Sequence, residues 1–195
     1  RGLGDVYKRQ AHPFERACPL SETRLAYTWN QWDVTGYTGI CIWNFMSSWK
    51  GRAQGLPSGL YYFIRPCDAV ASGPDPETLR AWDRACQERR VVGIGGSDAH
   101  EHRFRLGPLR RLRVFPYEFL LRTINTHLLT RERFCRDLGH DKKLVLDALA
   151  NGRCFVANDC LSASRGFRFS AVVADREFAM GEEIPWQGGI RLVVT

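Results

Sequence analysis

The 195-residue sequence is short of lysine, of paired cysteine motifs and of long apolar runs, and each shortage excludes something. Of its 28 basic residues only Lys8, Lys50, Lys142 and Lys143 are lysines, so the net charge of +7 rests on arginines dispersed along the chain. A nucleic-acid binder gathers its charge with aromatics or in a recognisable module. No such module is present, and a nucleic-acid partner is not expected. No apolar run approaches the ~18–20 residues of a membrane span, and no signal peptide is recognisable. A cytoplasmic location with no membrane partner is therefore expected. The seven cysteines, Cys18, Cys41, Cys67, Cys86, Cys135, Cys154 and Cys160, are odd in number and form no C-x-x-C pair. That spacing suits neither a disulfide framework nor a zinc finger, and reads as reduced thiols packed as small hydrophobes.

What is present is an ordinary globular composition, 44% hydrophobic and 25% charged, at a length suited to one domain with at most a small appendage. A weak helical stretch rich in aromatics is expected from Ser21 through Tyr27, Trp29 and Trp32. Gly39–Asn44 reads as a short buried strand ending in a polar residue. Asp75-Pro76-Glu77 predicts a helix start, with an N-cap, proline in the first turn and an acid near the positive end of the helix dipole. The helix continues through Leu79, Trp82, Ala85 and Cys86, an i, i+3 stripe. A β-branched run at Val91–Ile94 follows, closed by Gly95-Gly96-Ser97. A second helix is expected over Asp141–Ala150, with Gly152 as its C-terminal glycine. Beyond Arg165 apolar and polar residues alternate without helical signals, which predicts strands. Five of the six tryptophans, Trp29, Trp32, Trp43, Trp49 and Trp82, are expected in the core.

Helix followed by a short apolar strand, with polar residues at the strand's C-terminal end, is how α/β sheets and barrels present chemistry. The polar residues here are Ser97-Asp98-Ala99-His100. An aspartate and a histidine two residues apart on an extended segment can point to one side, and carboxylate with imidazole suits Zn, Mn or Fe or a general-base pair. His12, before Pro13, is the second candidate. Arg103, Arg105, Arg110, Arg111 and Arg113 follow on an expected solvated loop; a guanidinium gives two parallel donors to a phosphate. His127, in an apolar run, is expected to be a satisfied core or interface histidine.

Taken together, Ala11-His12-Pro13, Gly39–Asn44 and Gly96–His100 resemble, in order and context, the polymerase and histidinol phosphatase (PHP) superfamily of metal-dependent phosphoesterases. Trp43–Ser47, Gly73–Pro76, Phe115–Glu118, Thr126-His127 and Gly152–Ala157 extend the likeness to a subgroup with a β-rich C-terminal extension. The resemblance implies an α/β fold: the C-terminal part of a distorted PHP-type (β/α)7 barrel over residues 11–162, then the start of a small, incomplete β-rich domain over 163–195. It implies hydrolysis of a small phosphorylated substrate by metal-activated water. His12, Asp98 and His100 would be metal ligands, Asp98 and His100 catalytic through the metal, Arg103 and Arg105 substrate-binding, and Asn44 a support that orients a ligand. The cofactors would be Mn, Zn, Fe or Mg, up to three ions in the family.

The departures are specific. The family opens on an H-x-H and uses about nine ligands; no H-x-H precedes His12, and Cys41 stands where the family's second strand carries Glu. Residues 1–10 carry no strand pattern and resemble a non-native leader, so the sequence reads as a fragment lacking the first-strand ligands and weak or inactive alone. The alternative is a non-catalytic PHP-like binding or structural module with a degenerate metal site. The oligomeric state leaves no signature in the sequence.

Overall fold

The computed structural model describes residues 9–20, 25–29, 31–34, 36–106, 110–184, 186 and 188–195, apart from the side chains of 9–10, 102–106 and 110–112. Its centre is a parallel sheet of β1 (Arg9–Gln10), β2 (Gly39–Asn44) and β3 (Val92–Gly96), in that spatial order. Arg9 and Gln10, expected to belong to a leader, pair with Gly39 and Ile40. Strand pairing is made by main-chain groups, so a segment without a strand pattern can still supply it. The β2–β3 register shifts between Cys41 and Trp43, a bulge that re-aims the end of β2.

Helices pack against this sheet. α1 (Phe45–Arg52) follows β2 directly, and α2 (Leu56–Ile64) and a 3-10 turn (Pro66–Val70) come next. α3 (Pro76–Glu88) begins where its sequence says, with the Asp75 carboxylate accepting the Glu77 N–H. Its Trp82 indole donates to the Val91 carbonyl at 2.7 Å and packs with Ala85 and Ile42 over Tyr37, Ile40 and Val91. A larger apolar cluster joins Phe45, Met46, Val70, Phe115, Leu120 and Ile124, with Trp43 and Trp49 against it. Phe45 meets Phe115 and Phe119 edge to face, at 6.0 and 5.6 Å between centroids, the arrangement aromatic quadrupoles favour.

Several expectations are corrected. Residues 25–29 and 31–34 hold no helix, and Ser21–Arg24 lie outside the described residues. The backbone there bonds to a distant segment: Trp29 N–H donates to the Pro13 carbonyl at 3.0 Å and Tyr27 N–H to the Glu15 carboxylate at 2.8 Å. Trp32 is exposed and stacks on Phe14. The arginine segment is a hairpin, β4 (His102–Leu106) with β5 (Arg110–Val114), rather than a solvated loop. α4 (Tyr117–Leu120) leads into β6 (Ile124–Leu128). α5 (Leu138–Ala150) starts three residues early because Asp137 caps it through the His140 N–H. β7 (Cys154–Asn158) pairs antiparallel with β6. β8 (Phe169–Val173), β9 (Arg176–Ala179) and β10 (Arg191–Val194) form an antiparallel sheet ordered β10-β8-β9. Among the described residues parallel pairing is confined to β1-β2-β3, and no helix is long and apolar enough to cross a membrane.

β3 joins β6 without a ladder. Gly95 N–H donates to Thr126 Oγ1 and Thr126 Oγ1 donates to the Gly95 carbonyl, both at 2.8 Å. A Cβ at Gly95 would run into Val156 and lie 2.9 Å from the Trp43 carbonyl oxygen and 3.0 Å from Ile124 Cγ2. Gly95→Ala should therefore cost about 1–3 kcal/mol of stability by overpacking, read as a lower midpoint in denaturant. An unchanged midpoint would mean that β6 and β7 are not held this close.

The expectation of seven reduced thiols is also corrected: Cys67, in the 3-10 turn, and Cys160, after β7, form a disulfide across 93 residues. Their segments are drawn together by packing, with Asn158 Nδ2 donating to the Val70 carbonyl at 3.2 Å, and such distant pairing carries no spacing signal. Thiol titration of the unfolded, unreduced chain should count the five remaining cysteines. Reduction should destabilise the fold by about 2–5 kcal/mol, as expected for a long closed loop. Seven titratable thiols would disprove the link.

Candidate functional site

The C-terminal edge of the parallel sheet gathers three of the expected residues. His12 lies two residues beyond β1, Asn44 ends β2, and Asp98 lies two residues beyond β3. Ligands of open α/β sheets bind at this edge, where strands end and loops begin. His12 (φ 25°) and Asp98 (φ 51°) both hold left-handed backbone, a conformation that costs a non-glycine residue energy and that clusters at functional sites. A cleft of about 260 Å³ opens beside His12, its wall including Arg16, Cys41, Asn44, Ser47 and Arg52 but not Asp98 or His100. Asn44 is buried and its Oδ1 accepts the Ser47 N–H at 3.0 Å, capping α1. The Ser47 hydroxyl on that wall is itself buried without a partner among the described residues.

His12 is steadied by a residue that sequence reasoning missed. Its Nδ1 sits 3.4 Å from the Tyr27 carbonyl oxygen and 3.8 Å from Glu15 Oε2. The Glu15 side chain is 1% exposed and pairs with Lys50 of α1 at 2.6 Å. Burial pushes its carboxyl up, but the bonds from Lys50 and the Tyr27 N–H outweigh that and hold it below the usual carboxylate range. No local spacing joins residues 15 and 50, so only the folded chain reveals the pair.

Asp98 and His100 lie side by side, with His100 Nδ1 2.7 Å from the Asp98 carbonyl oxygen and 3.4 Å from its Oδ1. The His100 side chain is 65% exposed and that of Asp98 19%. The donor types suit a divalent ion. Their geometry supplies one wall of a site rather than a cage, because His12, Asp98 and His100 do not gather their ligand atoms to within 4.8 Å of one another. Cys41 lies near His12 and Asp98: burial raises its thiol pKa, the Asp98 charge adds to that, and backbone bonds with His12 and Trp43 oppose it. The net effect favours a protonated thiol.

The side chains of Arg103 and Arg105 lie outside the described residues; their backbones pair with Arg113 and Arg111 across the hairpin. Arg113 is committed to two carboxylates, Glu101 at 2.6 Å and Glu118 at 3.0 Å.

A second polar cluster surrounds His127, which stacks on Phe155 with centroids 4.7 Å apart. Its Nε2 meets Asp159 Oδ2 at 2.8 Å and Ser164 Oγ at 3.2 Å, while Asn125 Nδ2 donates to the same aspartate at 2.9 Å. Serine, histidine and aspartate meet here without forming a catalytic triad. In a triad the base uses separate nitrogens for nucleophile and carboxylate, whereas here both partners share Nε2 and Ser164 also bonds Asp159 directly. The cluster fastens the 159–164 turn to β6.

Compared with protein-family models, with characterised proteins and with solved structures, the chain matches none.

Burial opposes ionisation of Asp159, yet bonds from the Ser164 hydroxyl and N–H, Asn125 and His127 bring its carboxyl down from 3.8 to about 2. A carboxylate lowered on folding contributes stability that is full above its unfolded value and lost as pH falls through the folded one. Asp159→Asn should thus remove stability of the order of 2 kcal/mol at neutral pH and flatten the acid limb between about pH 4 and 2. An acid limb identical to that of the unsubstituted chain would show that the cluster does not depend on the charge.

Proposed function

We propose that this chain carries the strand-end wall of a metal-dependent phosphoesterase site of the PHP type, within the later part of a distorted α/β barrel. The observation that carries the reading is His12, Asn44 and Asp98 at the C-terminal ends of three adjacent parallel strands. In this reading Asp98, His12 and His100 supply part of the donor set for a divalent ion, Mn, Zn, Fe or Mg. Such an ion, when bound, makes water nucleophilic at neutral pH and stabilises charge on phosphoryl oxygens. The Glu15–Lys50 pair holds the Tyr27 N–H through Oε2, and the Tyr27 carbonyl oxygen lies 3.4 Å from His12 Nδ1. Asn44 holds the first turn of α1 and with it the Ser47 hydroxyl on the cleft wall. Arg16 and Arg52 of the cleft, with Arg103 and Arg105 on the hairpin, draw a small phosphorylated substrate to this edge.

A second reading, a PHP-like module that binds without catalysis, is favoured by Cys41 in place of the family's glutamate and by donors that do not converge. Manganese separates the two, since it prefers carboxylate and imidazole to thiolate. The purified chain should bind Mn²⁺, with affinity at least about tenfold weaker in Asp98→Ala, and any turnover of a generic phosphomonoester should be slow and abolished by the same change. Folded protein with no Mn²⁺ binding and no hydrolysis across a broad ester panel would sink the phosphoesterase reading in favour of the module.

A further inference from the structure

Away from the strand ends, the first turn of α5 and the segment before it bring together a second donor group. Cys135, His140 and Asp141 each offer a ligand atom, and the three atoms lie within 4.8 Å of one another, the one such group among the described residues. Cys135 Sγ is 3.7 Å from Asp141 Oδ1. Two ligands at about 2.3 Å (sulfur) and about 2.0 Å (oxygen) on a tetrahedral zinc lie about 3.5 Å apart, so these side chains stand close to ligand spacing already.

The local backbone explains the arrangement. Asp137 caps α5 through the His140 N–H at 2.7 Å, which fixes the turn that carries His140 and Asp141. Asp141 then accepts the N–H groups of Cys135 and Arg136, each at 3.0 Å, one on each carboxylate oxygen. Those bonds hold the Cys135 backbone over the helix, and each oxygen keeps a second lone pair for an ion. At the margin, Glu132 Oε2 approaches His140 Nε2 at 3.6 Å.

We propose that Cys135, His140 and Asp141 bind one zinc ion, with the fourth position taken by water or Glu132. A thiolate, an imidazole and a carboxylate form a donor set typical of zinc, softer than calcium or magnesium would use. Thiolate and carboxylate together neutralise the 2+ charge. The ion ties the exposed segment before α5 to the helix, independently of Asp98 and the phosphoesterase reading.

Cobalt(II) titration of the full chain tests the site, because thiolate ligation gives a near-ultraviolet charge-transfer band. The band should saturate at one equivalent, disappear in Cys135→Ser, and persist in Cys41→Ser and Asp98→Ala. Zinc should displace the cobalt, and its affinity should fall at least about tenfold in His140→Ala. Because Cys135 is exposed, its serine variant leaves the core intact, and an unchanged circular dichroism spectrum checks that it folds. Absence of the band in the unsubstituted chain, or its survival in Cys135→Ser, would overturn the proposal.

Discussion

The contact between Gly95 and Thr126 governs how the rest of the chain assembles. β3 is the last strand of the parallel sheet, and its outer edge needs partners for its main-chain groups. One hydroxyl from β6 supplies both a donor and an acceptor at Gly95. The missing side chain at Gly95 then lets Val156 and Ile124 close on the strand. Through this approach the cluster around Phe45 continues from α1 to β7, and the segment that carries Asp98 leaves the sheet against a packed wall. On the same strand His127, one residue past Thr126, fastens the turn after β7. A sheet-to-sheet junction is thus made by one small residue and one short polar one.

The parts of this fold legible in the sequence are those written locally. Asp75-Pro76-Glu77 announces α3 because cap, proline and acid act on adjacent backbone groups, and the apolar runs of β2 and β3 announce strands. What could not be read is made of single residues meeting over long separations: Gly95 with Thr126 across 31 positions, His127 with Asp159 across 32, Glu15 with Lys50 across 35. Each partner is an ordinary residue with an ordinary neighbourhood, and only the path of the chain pairs them. The tryptophan-rich stretch misled for a related reason. Its helical propensity yields to non-local bonds at Tyr27 and Trp29.

The two donor groups differ in the same way. The strand-end group depends on three strands arriving side by side, so His12, Asn44 and Asp98 are positioned by the whole sheet. The group at α5 is assembled within seven consecutive residues, from Cys135 to Asp141, by a cap and two main-chain bonds. Sequence reading favoured the first because its motifs carry a family pattern. It passed over the second because a cysteine five residues before a histidine matches no familiar ligand spacing. Geometry ranks them the other way: the local donors already gather and the long-range ones do not.

The covalent link between Cys67 and Cys160 encloses α3, β3, the hairpin, β6, α5 and β7 within one ring of chain. Asp98 and His100 lie inside the ring, His12 and Asn44 outside it. A protease cutting the exposed stretch at 131–139 would open the ring without separating its halves. The severed ends would stay on one molecule and keep the strand ends within reach of each other. Damage at that surface would pass unseen in size-based separation until the sulfurs were parted.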